Sequence, residues 1–120
     1  MSAPTLRDRL QAGLVAAMKG KDTIGTRAIR SALAAIGNAE AVEATTPAAS
    51  GDAHIAGSAR GLGAGDAPRR ELTELDLLEL LGTEITDRRQ HAREYEALGQ
   101  ADAAARLRAE AALLESYCSP

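Results

Sequence analysis

Apolar residues recur at steps of three and four near the start of the chain, which is the spacing of one face of an α-helix. The residues on this face are Leu6, Leu10, Leu14, Ala17 and Met18. Thr5 followed by Asp8 has the spacing of a capping box, and Gly20 is of the type that ends helices. The pattern therefore predicts a first helix over about residues 5–19.

A second helical pattern starts at Asp22 or Thr23 and continues to about residue 42. Its apolar positions are Ile29, Ala32, Leu33, Ala35 and Ile36. The few residues between the two patterns leave room only for a tight turn, which places neighbouring helices antiparallel. The first 42 residues are therefore predicted to form a helical hairpin.

The last third of the chain repeats this organisation. Thr73 and Asp76 begin a third helix over about residues 74–98, Gly99 is predicted to end it, and a fourth helix covers about residues 101–118. The apolar positions are Leu77, Leu78, Leu81, Ile85, Ala92 and Tyr95, followed by Ala104, Leu107, Ala111, Leu114 and Cys118. We predict an all-α fold in one domain over residues 1–120, with four helices as two antiparallel hairpins joined by a long loop.

The predicted loop covers residues 44–71, where small residues and prolines interrupt both helical and strand periodicity. Structureless connections longer than about 12–15 residues in compact domains are either functional or disordered. The Ala and Gly content favours disorder, whereas His54, Ile55 and Leu62 would allow the loop to dock on a surface. Both alternatives stay open at this point.

The composition favours closely packed helices in a reducing compartment. The chain has no Phe or Trp and is rich in alanine, which has the highest helix propensity. Its single cysteine excludes an internal disulfide, no signal peptide is visible, and no apolar run approaches the length of a membrane span. We expect a soluble, cytoplasmic protein.

The net charge of -3 conceals an asymmetry between the two hairpins. Residues 1–40 carry a formal charge of +3, and residues 71–120 carry -6. Any contact with phosphates should use the N-terminal half, because the C-terminal half would repel nucleic acid. The candidate RNA-binding residues are Arg7, Arg9, Lys19, Lys21 and Arg27.

An arginine interrupts the apolar seam of the third helix. The seam begins with Leu78, Leu81 and Ile85, and its next member is Arg88 rather than a leucine. Glu84 lies one turn earlier in the favourable orientation for an ion pair, but a half-buried guanidinium needs further acceptors. The candidates for a second acceptor are Glu40, Asn38, Glu110 or a backbone carbonyl. We interpret Arg88 mainly as a lock between helices.

Other chemistry-bearing residues give weaker signals. Tyr95 is expected to pack its ring with the hydroxyl in water, His91 to point away from the seam, and Cys118 to serve in packing. The segment 61–65, GLGAG, lacks the strand and helix start of a phosphate loop, although Arg60, Arg69 and Arg70 are candidate anion-binding residues. No catalytic residue, metal site or cofactor is predicted.

Three segments closely resemble the GatB/YqeY family: RSALAAIGNAE (residues 30–40), LTELDLLELLGTEITDRRQHAREYEALGQAD (residues 72–102) and EAALLESY (residues 110–117). This family includes stand-alone YqeY-like proteins akin to the tail domain of the GatB subunit of the aspartyl/glutamyl-tRNA amidotransferase. The matching family-signature residues are Arg30, Asn38, Glu40, Glu84, Arg88, Tyr95, Gly99, Glu110 and Tyr117.

The resemblance implies an all-helical fold and a place near glutamine-dependent transamidation, where the amidotransferase tail contacts tRNA. The family label is carbon–nitrogen ligase with glutamine as amido donor, but that chemistry resides in other domains and subunits. Where the family continues through Tyr-Leu-Pro into a second helical subdomain, this chain reads YCSP, so we expect a short form without that subdomain.

Two functional hypotheses follow. In the first, the protein is a non-catalytic, RNA-associated accessory module whose basic first hairpin contacts a tRNA backbone. In the second, it is a protein-interaction module that uses the acidic second hairpin or the loop, without any RNA role. An enzyme in its own right is the least supported class, because no convergent set of polar residues is evident.

Overall fold

The structure is a computed structural model that describes residues 3–45 and 71–119. These residues form four helices: α1 (Leu6–Lys19), α2 (Thr23–Thr45), α3 (Glu74–Ala97) and α4 (Ala101–Ser116). The prediction of an all-α fold is confirmed, with no strand in the described ranges. None of these helices is both long and apolar enough to cross a membrane.

The helix ends differ from the predicted ones by a few residues. Helix α2 continues to Thr45, three residues beyond the prediction, since Glu43 and Ala44 are both residue types of high helix propensity. Helix α3 stops at Ala97 and α4 at Ser116, since Leu98 and Tyr117 are the C-caps. The greater part of the predicted loop, residues 46–70, lies outside the described residues.

Both predicted capping boxes are present. The hydroxyl of Thr5 accepts a hydrogen bond from the Asp8 backbone N–H at 3.1 Å, and the Asp8 carboxylate accepts one from the Thr5 N–H at 3.3 Å. Thr73 and Asp76 repeat this arrangement at 3.0 and 2.9 Å. Each box satisfies donors that a helix start would otherwise leave unpaired.

Two turns with the same hydrogen-bond pattern close the hairpins. After α3, Gly99 has a φ of 79°, its N–H donates to Glu96, and the Gln100 N–H donates to Tyr95. This is a Schellman motif, with glycine in the left-handed conformation that it tolerates best. The prediction that Gly99 ends the third helix is therefore confirmed.

In the turn after α1, a lysine occupies the left-handed position that Gly99 occupies in the turn after α3. Gly20 is the C-cap with a φ of -84°, and Lys21 has the left-handed φ of 56°. The N–H groups of Lys21 and Asp22 donate to carbonyl oxygens of α1 at 3.2 and 2.8 Å, and Asp22 then accepts from the Gly25 N–H at 2.9 Å. Lys21 thus bears a steric cost that a glycine would avoid.

The hairpins are antiparallel and share one core. Arg7 near the start of α1 is paired with Glu40 towards the end of α2, and Arg108 is paired with Glu96 across the second hairpin. The N–H of Leu6 donates to Glu74 at 3.1 Å, which joins the starts of α1 and α3. The core residues are Leu6, Leu10, Ala28, Ile29, Ala32, Ile36, Leu77, Leu81, Ile85, Ala111 and Leu114.

Three predicted apolar positions are wrong. Met18 is 50% exposed, Tyr95 is 43% exposed, and Leu78 is 37% exposed whereas Leu77 is 3% exposed. The buried seam of α3 therefore begins at Leu77 and reaches Arg88 through Leu81 and Ile85. The one-residue error arises because leucines occupy both positions, so periodicity alone does not choose between them.

A glycine notch on α1 receives the chain after α4. A Cβ atom added at Gly13 would overlap the Tyr117 hydroxyl and would lie 3.3 Å from the Ile29 Cδ1 atom. Arg9 lies over the Tyr117 ring at 5.6 Å, and its guanidinium donates to the Ser119 carbonyl at 3.2 Å. The residues that follow α4 are thereby attached to α1.

Substitution of Gly13 should separate packing from helix propensity. Gly13→Ala should lower the melting temperature, even though alanine favours a helix over glycine by about 0.5–1 kcal/mol, because Tyr117 must leave the notch. The matched control is Gly82→Ala in α3, where nothing lies within 4 Å of the added Cβ, and it should raise the melting temperature. Equal, positive shifts for both variants would contradict the notch.

Lys21→Gly should stabilise the fold. Glycine adopts the left-handed conformation without the clash that Lys21 carries, so we expect the free energy of unfolding to rise by about 0.5–1 kcal/mol. Urea denaturation followed by circular dichroism measures this change. Lys21→Val, which is β-branched, should do the opposite, and a stable valine variant would refute the assigned conformation.

Candidate functional site

Arg88 lies at the centre of a polar cluster between three helices. Its Nε atom donates to Glu110 Oε1 at 3.0 Å, and its Nη1 atom donates to Glu84 Oε1 at 2.9 Å and to the Glu84 carbonyl at 3.2 Å. The Ser31 hydroxyl of α2 donates to the same Glu84 oxygen at 3.1 Å. The cluster therefore connects α2 and α4 through α3.

The cluster keeps its arginine charged. Burial works to lower the pKa of Arg88, but hydrogen bonds to Glu84 and Glu110 and the charges of both carboxylates outweigh it, and the pKa is raised. Only 11% of the Arg88 side chain is exposed, so loss of either carboxylate would leave a charge in a poorly hydrated place. One cation with two carboxylates gives the cluster a formal charge of -1.

These contacts show which of the predicted candidates are the partners of Arg88. Glu84 is the local partner, the second acceptor from another helix is Glu110, and a backbone carbonyl also contributes. Glu40 pairs instead with Arg7, and Asn38 is exposed on α2. The arrangement is that of a structural ion-pair network, because each polar group faces a partner within the cluster.

The other residues on which the predicted family resemblance rests are not gathered into one site. Arg30 is exposed and lies 3.7 Å from the Met18 sulfur, Gly99 forms a turn, and Tyr117 fills the Gly13 notch. Tyr95 is 43% exposed, which is more than we expected for a packed ring. These positions therefore serve different structural purposes.

The five candidate RNA-binding residues separate into two groups. Arg7 and Arg9 lie near the start of α1, where Arg7 is paired with Glu40 and Arg9 contacts Tyr117 and Ser119. Lys19, Lys21 and Arg27 lie at the other end of the hairpin and are exposed. The two groups are about 20 Å apart, which is the length of a 14-residue helix.

The second group and the exposed Arg30 together form a patch that we call the basic end, which consists of Lys19, Lys21, Arg27 and Arg30. Arg27 and Arg30 are three residues apart on α2 and hence on one face of that helix. Within the described ranges, none of the four side chains takes part in an ion pair. Asp22 lies in the same turn, which leaves a formal charge of +3.

The opposite end of the first hairpin lies among carboxylates and is called the acidic end here. The contacts of Leu6 with Glu74 and of Arg7 with Glu40 bring the start of α1 close to the start of α3 and the later part of α2. The carboxylates of this acidic end are Asp8, Glu40, Glu71, Glu74 and Asp76. Arg7 and Arg9 lie at the same end, which leaves it a formal charge of -3.

The other predicted residues show no convergent chemistry. His91 is exposed, as expected, and Cys118 packs against the core with its thiol 3.9 Å from the Leu114 carbonyl. Burial raises the pKa of the Cys118 thiol, Glu115 adds to this and Arg9 opposes it, so the thiol stays protonated at neutral pH. The candidate anion-binding residues Arg60, Arg69 and Arg70 lie outside the described residues.

The described residues contain no group of three His, Cys, Asp or Glu side chains arranged to hold a metal ion.

Two features of the structure were not predicted from the sequence. The first is the hydrogen bond of Ser31, which the sequence does not indicate because serines are common in helices. The second is the Gly13 notch, which could have been suspected because an isolated glycine inside a helix often has a packing or functional reason. Its partner Tyr117 is not evident from spacing.

Comparison with known proteins adds no relative to this description. No family model, no curated protein and no solved structure matches the chain.

Arg88→Met should destabilise the fold by about 2–3 kcal/mol, because Glu84 and Glu110 would face each other without a cation. The matched control is Arg89→Met on the same helix, which removes the exposed pair with Glu115 and should cost less than about 0.5 kcal/mol. Thermal unfolding measures both values. An unchanged melting temperature for Arg88→Met would show that the cluster does not hold the helices together.

Proposed function

We propose that this protein is a non-catalytic accessory module that binds RNA through the basic end of its first hairpin. The observation that supports the proposal is the presence of four exposed cations at one end of the first hairpin, none of which forms an ion pair within the described residues. The resemblance to the GatB/YqeY family suggests tRNA as the natural partner. The family's carbon–nitrogen ligase label would then describe the amidotransferase and not this chain.

A net charge of -3 does not oppose this role, because the charges act locally. The screening length at physiological ionic strength is about 8 Å, whereas the acidic and basic ends are about 20 Å apart along α1. Phosphates near the basic end are therefore attracted by its +3 charge, and the repulsion from the acidic end is largely screened. Glu84 lies nearer, since it accepts a hydrogen bond from Ser31 beside Arg30, but its charge is paired with Arg88.

Arg7 and Arg9 are assigned a structural role in this proposal. Arg7 is already neutralised by Glu40, and the guanidinium of Arg9 is held against Tyr117 and Ser119. Releasing either side chain for a phosphate would sacrifice a contact within the protein. The surface that binds RNA is therefore smaller than the set of five candidates from the sequence.

Exposed leucines favour protein interaction as the second candidate function. Leu75 is 64% exposed and Leu78 is 37% exposed on the part of α3 that also carries Glu74 and Glu79. An apolar pair among carboxylates suits a partner with basic and apolar residues. A partner that binds the wild type but not a Leu75→Ser, Leu78→Ser variant, without any RNA, would favour this candidate.

Titration with tRNA tests the main proposal. Three or four phosphate contacts predict that the Kd rises roughly 40-fold to 150-fold between about 50 and 200 mM salt. Lys19→Gln with Arg27→Gln should weaken binding at low salt and roughly halve the salt slope. Arg7→Gln, which removes a charge at the other end of the same hairpin, should leave binding nearly unchanged.

Undetectable binding at low salt would refute the proposal, since phosphate contacts are strongest there. Equal losses for the Arg7 variant and the basic-end variant would also contradict it, because binding would then follow the net charge instead of the patch. Circular dichroism of each variant verifies that the helices are retained.

A further inference from the structure

We infer that the basic end recognises the phosphate backbone of double-helical RNA, and that it does not read unpaired bases. This inference rests on the proposed function and specifies its ligand. It follows from two properties of the patch, namely the rigidity of its backbone and the lack of an aromatic ring in contact with its cations.

The cations of the basic end are carried on a fixed backbone. Lys19 is the last residue of α1, and Arg27 and Arg30 lie inside α2. The turn between them, which carries Lys21, is closed by the hydrogen bonds of Lys21 and Asp22 to α1 and by the Asp22 cap of α2. Long side chains on such a frame approach a regular row of phosphates without ordering the protein backbone.

A duplex offers that regular row, whereas a flexible single strand must be ordered to match it. A flexible ligand loses conformational entropy when binding orders it, and this loss weakens its affinity, whereas a pre-organised ligand has no such loss on binding. With only four cations, the patch has little interaction energy to offset such a cost. The rigid frame therefore favours the ligand whose phosphates are already fixed in space.

The patch also lacks the aromatic surface that single-strand binders use. Stacking of a base on an aromatic side chain contributes about 1–3 kcal/mol, and it accounts for much of single-strand recognition. The chain has two tyrosines and no Phe or Trp. Tyr117 is held in the Gly13 notch beneath Arg9, and in the described residues Tyr95, in the last turn of α3, makes no ring contact with a cation of the basic end.

The chemistry that remains is contact with phosphates. Side chains cannot read bases in the deep, narrow major groove of A-form RNA, so duplexes are recognised by shape and by backbone and 2′-hydroxyl contacts. The basic end should accordingly bind duplexes of different sequence with similar affinity. Affinities of about 10⁻⁴ to 10⁻⁶ M at physiological salt are typical of contacts of this kind.

The test compares two fluorescent RNAs with equal numbers of phosphates. One is a hairpin with a stem of about 16 base pairs, and the other is an unstructured uridine-rich strand. Fluorescence anisotropy of the full chain at about 50 mM salt should give at least about tenfold tighter binding to the stem. Lys21→Gln and Arg30→Gln should each weaken stem binding several-fold, whereas Arg7→Gln should not.

The outcomes separate this inference from the proposed function. Equal or tighter binding of the single strand, lost in the basic-end variants, would overturn the duplex preference but retain RNA binding by this patch. A duplex preference that the Lys21 and Arg30 variants leave unchanged would overturn the assignment to the basic end. Failure to bind the stem, the strand and tRNA at low salt would overturn both proposals.

Discussion

The packing of three helices depends on neutralising one guanidinium. Arg88 occupies a seam position where an apolar residue would ordinarily lie, and it is accommodated because α3 supplies Glu84 and α4 supplies Glu110 at hydrogen-bond distance. Ser31 extends the same network to α2. Since ion pairs have stricter geometric requirements than apolar contacts, this cluster restricts how α3 and α4 align more than their leucines and alanines do. The cluster therefore contributes mainly to the specificity with which the helices pack.

Around that fixed centre, the fold places the two groups of cations of the first hairpin in different surroundings. Antiparallel pairing brings the start of α1 to Glu40 and Glu74, and it leaves Lys19 and Lys21 at the far turn. From its composition alone, the protein would be expected to bind nucleic acid poorly. Within the described residues, the four cations of the basic end form no ion pair, although the net charge of the chain is -3.

Local signals predicted most of the fold. Capping boxes and Gly99 located helix ends to within a few residues, because caps are defined by contacts between near neighbours in sequence. Glu110 was one of several possible partners for Arg88, and only the relative rotation of α3 and α4 selects it. The choice of Leu77 over Leu78, the left-handed Lys21 and the contact of Tyr117 with Gly13 likewise depend on tertiary packing, which periodicity does not encode.

The contact between Tyr117 and Gly13 has a consequence for the order of events during synthesis. The first hairpin consists of contacts between close neighbours in sequence, so it is able to form while the ribosome is still adding residues. The notch at Gly13, however, waits for a side chain made more than a hundred residues later. A nascent chain that stalls before this point carries an unfilled notch at Gly13, next to Ile29. Such a chain is therefore more accessible to chaperones and proteases than the finished protein.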